Sequence, residues 1–196
     1  MPRLVLATTN RDKVREFLAL VAGRGLDIQT LADLPPLDAP DETGATFADN
    51  ARLKALAYAR HLPGLVVAED SGLEIDAMHG EPGVRSARYL SPTATYPERF
   101  AAIFDRLRDV PDPLRTARFV CAIAVADGDR VCFETQGVVA GRITRAAAGR
   151  GGFGYDPIFF SPKLGCTLAE AGDAKGTVSH RAQAVAGLVR WLDDLK

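Results

Sequence analysis

The chain has 196 residues, 47% of them apolar and 25% charged, and its 24 basic and 25 acidic side chains leave a formal net charge of -1. That composition excludes a chain dominated by disorder, and the cancelling charges exclude a duplex nucleic-acid binder that works through a broad basic field. Surface scaling predicts that about 70% of the unfolded surface is buried on folding, so no disulfide or structural metal is needed.

Cys121, Cys132 and Cys166 are odd in number and lack C-x-x-C spacing, which reads as reduced thiols in a cytoplasmic chain. Met1-Pro2-Arg3 runs directly into a strand-like segment and no run of about 18 apolar residues occurs. Neither an export leader nor a membrane span is expected.

Residues 3–8 read as a short buried strand, after which Val14, Phe17, Leu18 and Val21 recur at helical spacing. Residues 26–31 form a second strand, and residues 34–44, with three prolines and Asp38, Asp41 and Glu42, form an acidic loop. Thr46 to Asp49 fits a capping box before an Ala-rich helix stopped by Pro63-Gly64. Residues 65–68 are a third strand that ends on a turn, Glu69-Asp70-Ser71-Gly72, with residues 73–77 able to pair as a further strand.

A Gly/Pro/Arg-rich loop over 80–92 leads to a helix at 97–107. Two strands, 116–126 and 131–143, are joined by Asp127-Gly128-Asp129 as a hairpin, across which Cys121 falls opposite Gln136 and Cys132 opposite Val125, so that no bridge joins the two. A glycine-dense loop at 149–154 precedes a final helix with Val178, Ala182, Val185, Val189 and Leu192 in phase. The pattern predicts a mixed α/β fold, one domain over 1–196 built as two lobes around a cleft.

Four constellations can carry chemistry. Thr8-Thr9-Asn10-Arg11-Asp12-Lys13 lies where a strand ends and a helix begins, a junction whose free N–H groups and dipole attract anions. Taken alone, Thr9 or Asn10 capping the helix beside a solvated Lys13 is the plainer reading. Adjacent carboxylates at Glu69-Asp70, with Glu42 as a third contributor, suit Mg²⁺, and a solvated turn with Asp70 bonded to the backbone two residues on explains them equally well. In Gly151-Gly152-Phe153-Gly154-Tyr155-Asp156-Pro157, an aromatic ring between glycines can lie over a base, or simply plug into the core. Lys175 with Ser179-His180-Arg181 supplies donors that favour a base carbonyl over an amino group, with Ser179 as N-cap of the last helix. The three histidines show no ligand spacing, which disfavours zinc.

In order and spacing these blocks resemble the Ham1-like inosine triphosphate pyrophosphatase family over essentially the whole chain. The resemblance rests on Leu6-Ala7-Thr8-Thr9-Asn10 with Lys13, Phe47 with Asn50-Ala51 and Lys54-Ala55, and Asp70-Ser71-Gly72-Leu73. It continues through Pro82-Gly83, Ser86-Ala87-Arg88-Tyr89, residues 151–157, and Lys175 with Ser179-His180-Arg181. It implies an elongated mixed sheet with flanking helices, a homodimer, and hydrolysis of ITP, dITP or XTP to the monophosphate and diphosphate. It further implies that Thr8, Thr9, Asn10, Arg11, Asp12 and Lys13 hold the triphosphate, that Glu42 and Asp70 act around Mg²⁺, and that Asp70 is the general base. Ser71 would touch the substrate, Phe153 would stack on the base, and Gly154, Tyr155, Asp156, Lys175, His180 and Arg181 would complete the pocket.

The chain departs from the family at Glu69, where a second Asp is common, and its role is left unassigned. It departs again at Gly176-Thr177, where an Asn is common after Lys175. Donors from Lys175 or Arg181 would reject adenine at its 6-amino group, and the pocket around Phe153 and Asp156 would reject guanine at its 2-amino group. A Maf-like pyrophosphatase fits the opening motif less well. A nucleotide sensor without hydrolysis gains little from carboxylates beside a triphosphate.

Overall fold

In the computed structural model, which describes residues 3–195, the apolar run Leu4–Leu6 is a fully buried strand, β1. Met1 and Pro2, on which the reading of the chain's start rests, lie outside the described residues. Helix α1 (Arg11–Leu20) follows, and β2 (Ile28–Thr30) returns parallel to β1. Thr46 then caps α2 (Phe47–Ala59): its hydroxyl accepts from the Asp49 N–H at 3.1 Å while the Asp49 carboxylate accepts from the Thr46 N–H at 3.2 Å, the expected capping box.

The next strand, β3, runs unbroken from Leu65 to Ile75, parallel to β1 over residues 65–67. The expected turn at Glu69-Asp70-Ser71-Gly72 is therefore corrected, and residues 73–77 belong largely to the same strand. Gly72 serves close approach instead of a turn: a Cβ there would lie 2.3 Å from Ser86 Oγ and 2.8 Å from the Gly83 carbonyl. Helix α3 (Tyr96–Arg106) starts on a second capping box, Thr95 with Glu98.

β4 (Thr116–Asp127) and β5 (Arg130–Ile143) form the expected hairpin, with Gly128 at φ +57 in the two-residue loop. Two short strands, β6 (Phe159–Ser161) and β7 (Cys166–Thr167), pair antiparallel after it. Among the described residues the strand order is β2-β1-β3-β4-β5-β6-β7. Val178 is not part of the last helix as expected. It ends a separate turn, α4 (Lys175–Val178), because Ser179 adopts an extended ψ of 156 that breaks the helix before α5 (His180–Asp194).

The chain divides into two compact units, the first formed by Met1–Asp70, Cys121–Gly137 and His180–Lys196, the second by Ser71–Val120 and Val138–Ser179. In the first, Leu4, Leu6, Val67, Ile123 and Val125 share one sheet face with Phe17 of α1 and Leu188 of α5. In the second, Leu73, Ile75, Met78, Ile103, Leu107, Phe119 and Phe159 form a separate core, with the Phe119 and Phe159 rings 4.7 Å apart. Each fully buried side chain of this size contributes about 1.5–3 kcal/mol.

Candidate active site

In the first unit β1 lies between two parallel strands: the chain leaves it through α1 to β2 on one side, then crosses through α2 to β3 on the other. The carboxyl ends of strands at such a reversal form the usual ligand crevice of α/β sheets. Residues 7–13 emerge there, with the Ala7 N–H bonded to the Val67 carbonyl at 2.8 Å.

The α1 terminus is more occupied than the sequence suggests. Asn10 is the N-cap, and its Oδ1 accepts from the Asp12 N–H at 3.0 Å and the Lys13 N–H at 3.2 Å, while Thr8 Oγ1 accepts from the Asn10 N–H at 3.3 Å. Two of the amides expected to bind an anion are thus closed by the cap. The Asp12 carboxylate forms a surface pair with Arg15 at 2.8 Å. Thr9 and Arg11 are exposed. The donors suited to an anion here are the Thr8 and Thr9 hydroxyls, the Asn10 amide and the largely buried Lys13 ammonium.

Consecutive residues of a strand point to opposite faces. Because β3 continues through the acidic pair, Glu69 and Asp70 are directed apart and do not converge on one ion. Asp70, 6% exposed, faces α2: Oδ1 accepts from Lys54 Nζ at 3.0 Å and Oδ2 from Asn50 Nδ2 at 3.2 Å. Lys54 Nζ also reaches Glu42 Oε1 at 2.6 Å, so the two carboxylates read as metal ligands meet at one ammonium. Burial pulls the Lys54 pKa down, but Asp70 and Glu42 outweigh it and the net shift is upward, so the ammonium stays charged.

Glu69 faces α1, β4 and α5. Its carboxylate accepts from Arg181 Nε at 2.9 and 3.2 Å and from the Cys121 thiol at 3.3 Å, with Lys13 Nζ 3.7 Å away. Burial pushes this carboxyl up, yet Arg181 and Lys13 prevail and hold it down at about 2. Burial and the neighbouring carboxylate push the Cys121 thiol well up, which keeps it protonated as a donor. Arg181 is fully buried and also donates to Glu16, so two of its donors are directed to carboxylates of this unit. His180, at the start of α5, is buried, and its carbonyl lies against Gly137 of β5, where a Cβ would come within 2.0 Å.

The second unit carries a different set. Asp156, 2% exposed, accepts through Oδ2 from the Phe153 N–H at 2.8 Å and from Lys175 Nζ at 2.6 Å. The same ammonium stands 5.0 Å from the centroid of the half-buried Phe153 ring. Gly152 has φ +67, and a Cβ on it would collide with Asp156 Oδ2 at 2.0 Å, so only glycine permits this loop. Gly154 also has a positive φ of 67.

Tyr155, expected in the pocket, is buried and packs in the core of the second unit. Its ring packs edge-on to Tyr96 at 5.3 Å, its hydroxyl donates to the Ser86 carbonyl at 2.8 Å, and burial pushes its pKa up. Ser71 is partly exposed on β3.

Two residues given no role by the sequence reading, Asn50 and Lys54, turn out to hold the carboxylates. The available signal was their i, i+4 spacing on α2, which puts an amide and an ammonium on one helix face.

The model of the Ham1 family matches residues 4–191. A Geobacillus kaustophilus protein named dITP/XTP pyrophosphatase is 48% identical over 191 residues, 96% of this chain and 93% of that protein. Among solved structures, the Staphylococcus aureus Ham1 protein superimposes with a TM-score of 0.88 at 36% identity, covering 99% of this chain and 100% of that one. A Mycobacterium abscessus nucleoside-triphosphatase, dITP/XTP pyrophosphatase, gives a TM-score of 0.78 at 38% identity, covering 95% and 98% respectively.

Proposed function

This chain belongs to the Ham1 family, and on that premise we propose that it hydrolyses non-canonical purine nucleoside triphosphates of the ITP, dITP and XTP type to the monophosphate and diphosphate. The observation that carries the chemical part of this reading is the meeting of Glu42 and Asp70 at one cation, the Lys54 ammonium.

Mg²⁺ takes one or two protein carboxylates and completes its shell with water and phosphate oxygens. Two carboxylates already converging on a positive charge fit that demand, and Glu42 and Asp70 would hold the ion. When bound, it neutralises charge developing on the phosphoryl oxygens.

The chain's own residues supply the rest. Asp70, fixed from two sides by Lys54 and Asn50, orients a water molecule and removes its proton as general base. Lys13, Lys54 and the Thr8 and Thr9 hydroxyls place positive charge and donors toward the phosphates, and Ser71 follows Asp70 directly on β3. No covalent nucleophile is needed.

For the base, Phe153 offers a ring face, and the Lys175 ammonium, held by Asp156, donates to a 6-carbonyl and rejects the 6-amino group of adenine. A homodimer and a cytoplasmic location belong to the same reading. In favour of the latter, all three cysteines are free.

The test is a diphosphate-release screen over ITP, dITP, XTP, GTP and ATP with Mg²⁺ or with chelator, run beside Asp70→Asn. The inosine and xanthosine nucleotides should lead, chelation should stop turnover, and Asp70→Asn should lower kcat by about 10²-fold or more with its circular dichroism unchanged. Wild-type turnover by a folded Asp70→Asn variant would remove the base assignment. GTP turnover matching that of ITP would remove the selectivity.

A further inference from the structure

Asn50 is fully buried on α2 and makes two bonds of opposite polarity. Its Oδ1 accepts from the Gly44 N–H at 2.8 Å, and its Nδ2 donates to Asp70 Oδ2 at 3.2 Å. A backbone N–H can only donate and an ionised carboxylate can only accept, so the two neighbours fix which end of the amide faces which. No acidic, basic or apolar side chain of this length meets both demands. An Asp would set a second carboxylate against Asp70, and a Leu would leave both groups unmet.

Gly44 completes the device. A Cβ on it would stand 2.6 Å from Asp49 Cβ and 2.7 Å from Asn50 Oδ1, so the loop can lie this close to α2 only as glycine. Glu42 is two residues upstream in that loop and Asp70 is on β3. The amide therefore ties together the two backbone segments that carry the metal-ligand candidates, while Lys54, one turn along α2, meets both carboxylates with its charge.

We propose that Asn50 is a positioning residue that sets the orientation of the Asp70 carboxylate and the register of the Glu42 loop. Catalysis then depends on a neutral amide that touches neither substrate nor metal. The proposal rests on the reading of Asp70 as general base.

The deciding experiment compares Asn50→Ala, Asn50→Asp and Asp70→Asn. It measures kcat and KM for ITP with saturating Mg²⁺, ITP affinity in chelator by calorimetry, and thermal unfolding. Displacement of a catalytic group by about 1 Å costs up to about 10²-fold in rate. Asn50→Ala should lower kcat by roughly 10- to 100-fold while KM and metal-free ITP affinity stay within about twofold.

Asn50→Asp keeps the bond to Gly44, loses the donor to Asp70 and sets a second carboxylate against it. It should lower kcat at least as far, which isolates the Asp70 arm even if the alanine variant folds poorly. Wild-type kcat in Asn50→Asp, beside an inactive Asp70→Asn, overturns this proposal and leaves the general-base reading intact. A kcat that falls in step with metal-free ITP affinity and folded fraction shows a purely structural residue and also overturns it. Wild-type kcat in Asp70→Asn overturns both.

Discussion

Glu69 is the residue whose replacement should be felt most in stability. Its carboxylate is the buried counter-ion of Arg181, which is 0% exposed and cannot turn to solvent for compensation. Breaking a buried pair from one side costs about 3–5 kcal/mol, because the remaining charge stays desolvated. The carboxyl itself gives a consistent figure: a fall from 4.5 to about 2 corresponds to about 3 kcal/mol. Arg181 keeps Glu16, so Glu69→Gln is placed at the lower end, about 3 kcal/mol, or a Tm lower by about 6–12 °C.

Trp191, the single tryptophan, stacks on Phe133 at 4.9 Å within the same unit, so its fluorescence during urea unfolding reads the first unit directly. Glu16→Gln is the control: Glu16 is 20% exposed and its loss leaves Arg181 on Glu69, so about 1 kcal/mol or less is expected.

The pH dependence carries a definite sign. A carboxyl whose folded pKa lies below its unfolded value contributes stability above about 4.5 and loses that contribution as pH falls toward 2. The gap between wild type and Glu69→Gln should therefore be about 3 kcal/mol at neutral pH and close as pH approaches 2. Equal costs for Glu69→Gln and Glu16→Gln, or a gap that does not change with pH, would refute the reasoning.

Gly72→Ala should destabilise by about 1–3 kcal/mol in urea unfolding, since the new methyl meets Ser86 Oγ at 2.3 Å with the Gly83 carbonyl also in the way. A change within about 0.5 kcal/mol would mean that β3 and the 83–88 segment separate freely. Phe153→Ala should raise the KM for ITP by roughly 5- to 150-fold, the range for removing an aromatic stack on a base, with a smaller effect on kcat. An unchanged KM would take the base-stacking role away from this ring.

The order of the longer strands and helices was legible because each rests on local signals, among them the Thr46 capping box, the apolar stripe of α1 and the Asp127-Gly128 hairpin, whereas β6, β7 and α4 are too short to leave one. The end of β3 was not legible. Two acidic residues, a serine and a glycine spell a turn locally, and the strand survives them only through partners that the local sequence does not contain. Glu69 is met by Arg181, 112 residues on, and Gly72 is met by Ser86.

The same range limit hid the buried carboxylate partner of Arg181, which stands 112 residues away in the sequence. The Phe153, Asp156 and Lys175 group was closer to readable, since Gly152 and Gly154 mark a loop that turns through positive φ around a fixed side chain.

The strand period explains why two adjacent acids hold different positions. Residues 65, 67 and 69 point toward α1 and α5, where Leu65 and Val67 pack in the core and Glu69 pairs with a buried guanidinium. Asp70 points the other way, to α2, where an amide and an ammonium at i, i+4 receive its two oxygens. An Asp in place of Glu69 would be one methylene shorter and would have to reach Arg181 Nε from farther back on the strand. The longer side chain is thus matched to the guanidinium it neutralises. A near-zero net charge accommodates this arrangement because these cations face carboxylates: in the first unit Lys13 and Arg181 face Glu69 and Lys54 faces Asp70 and Glu42, and in the second Lys175 faces Asp156. On the proposed function, an incoming polyphosphate would compete with these carboxylates for the cations, and a divalent ion bound with it would restore the balance.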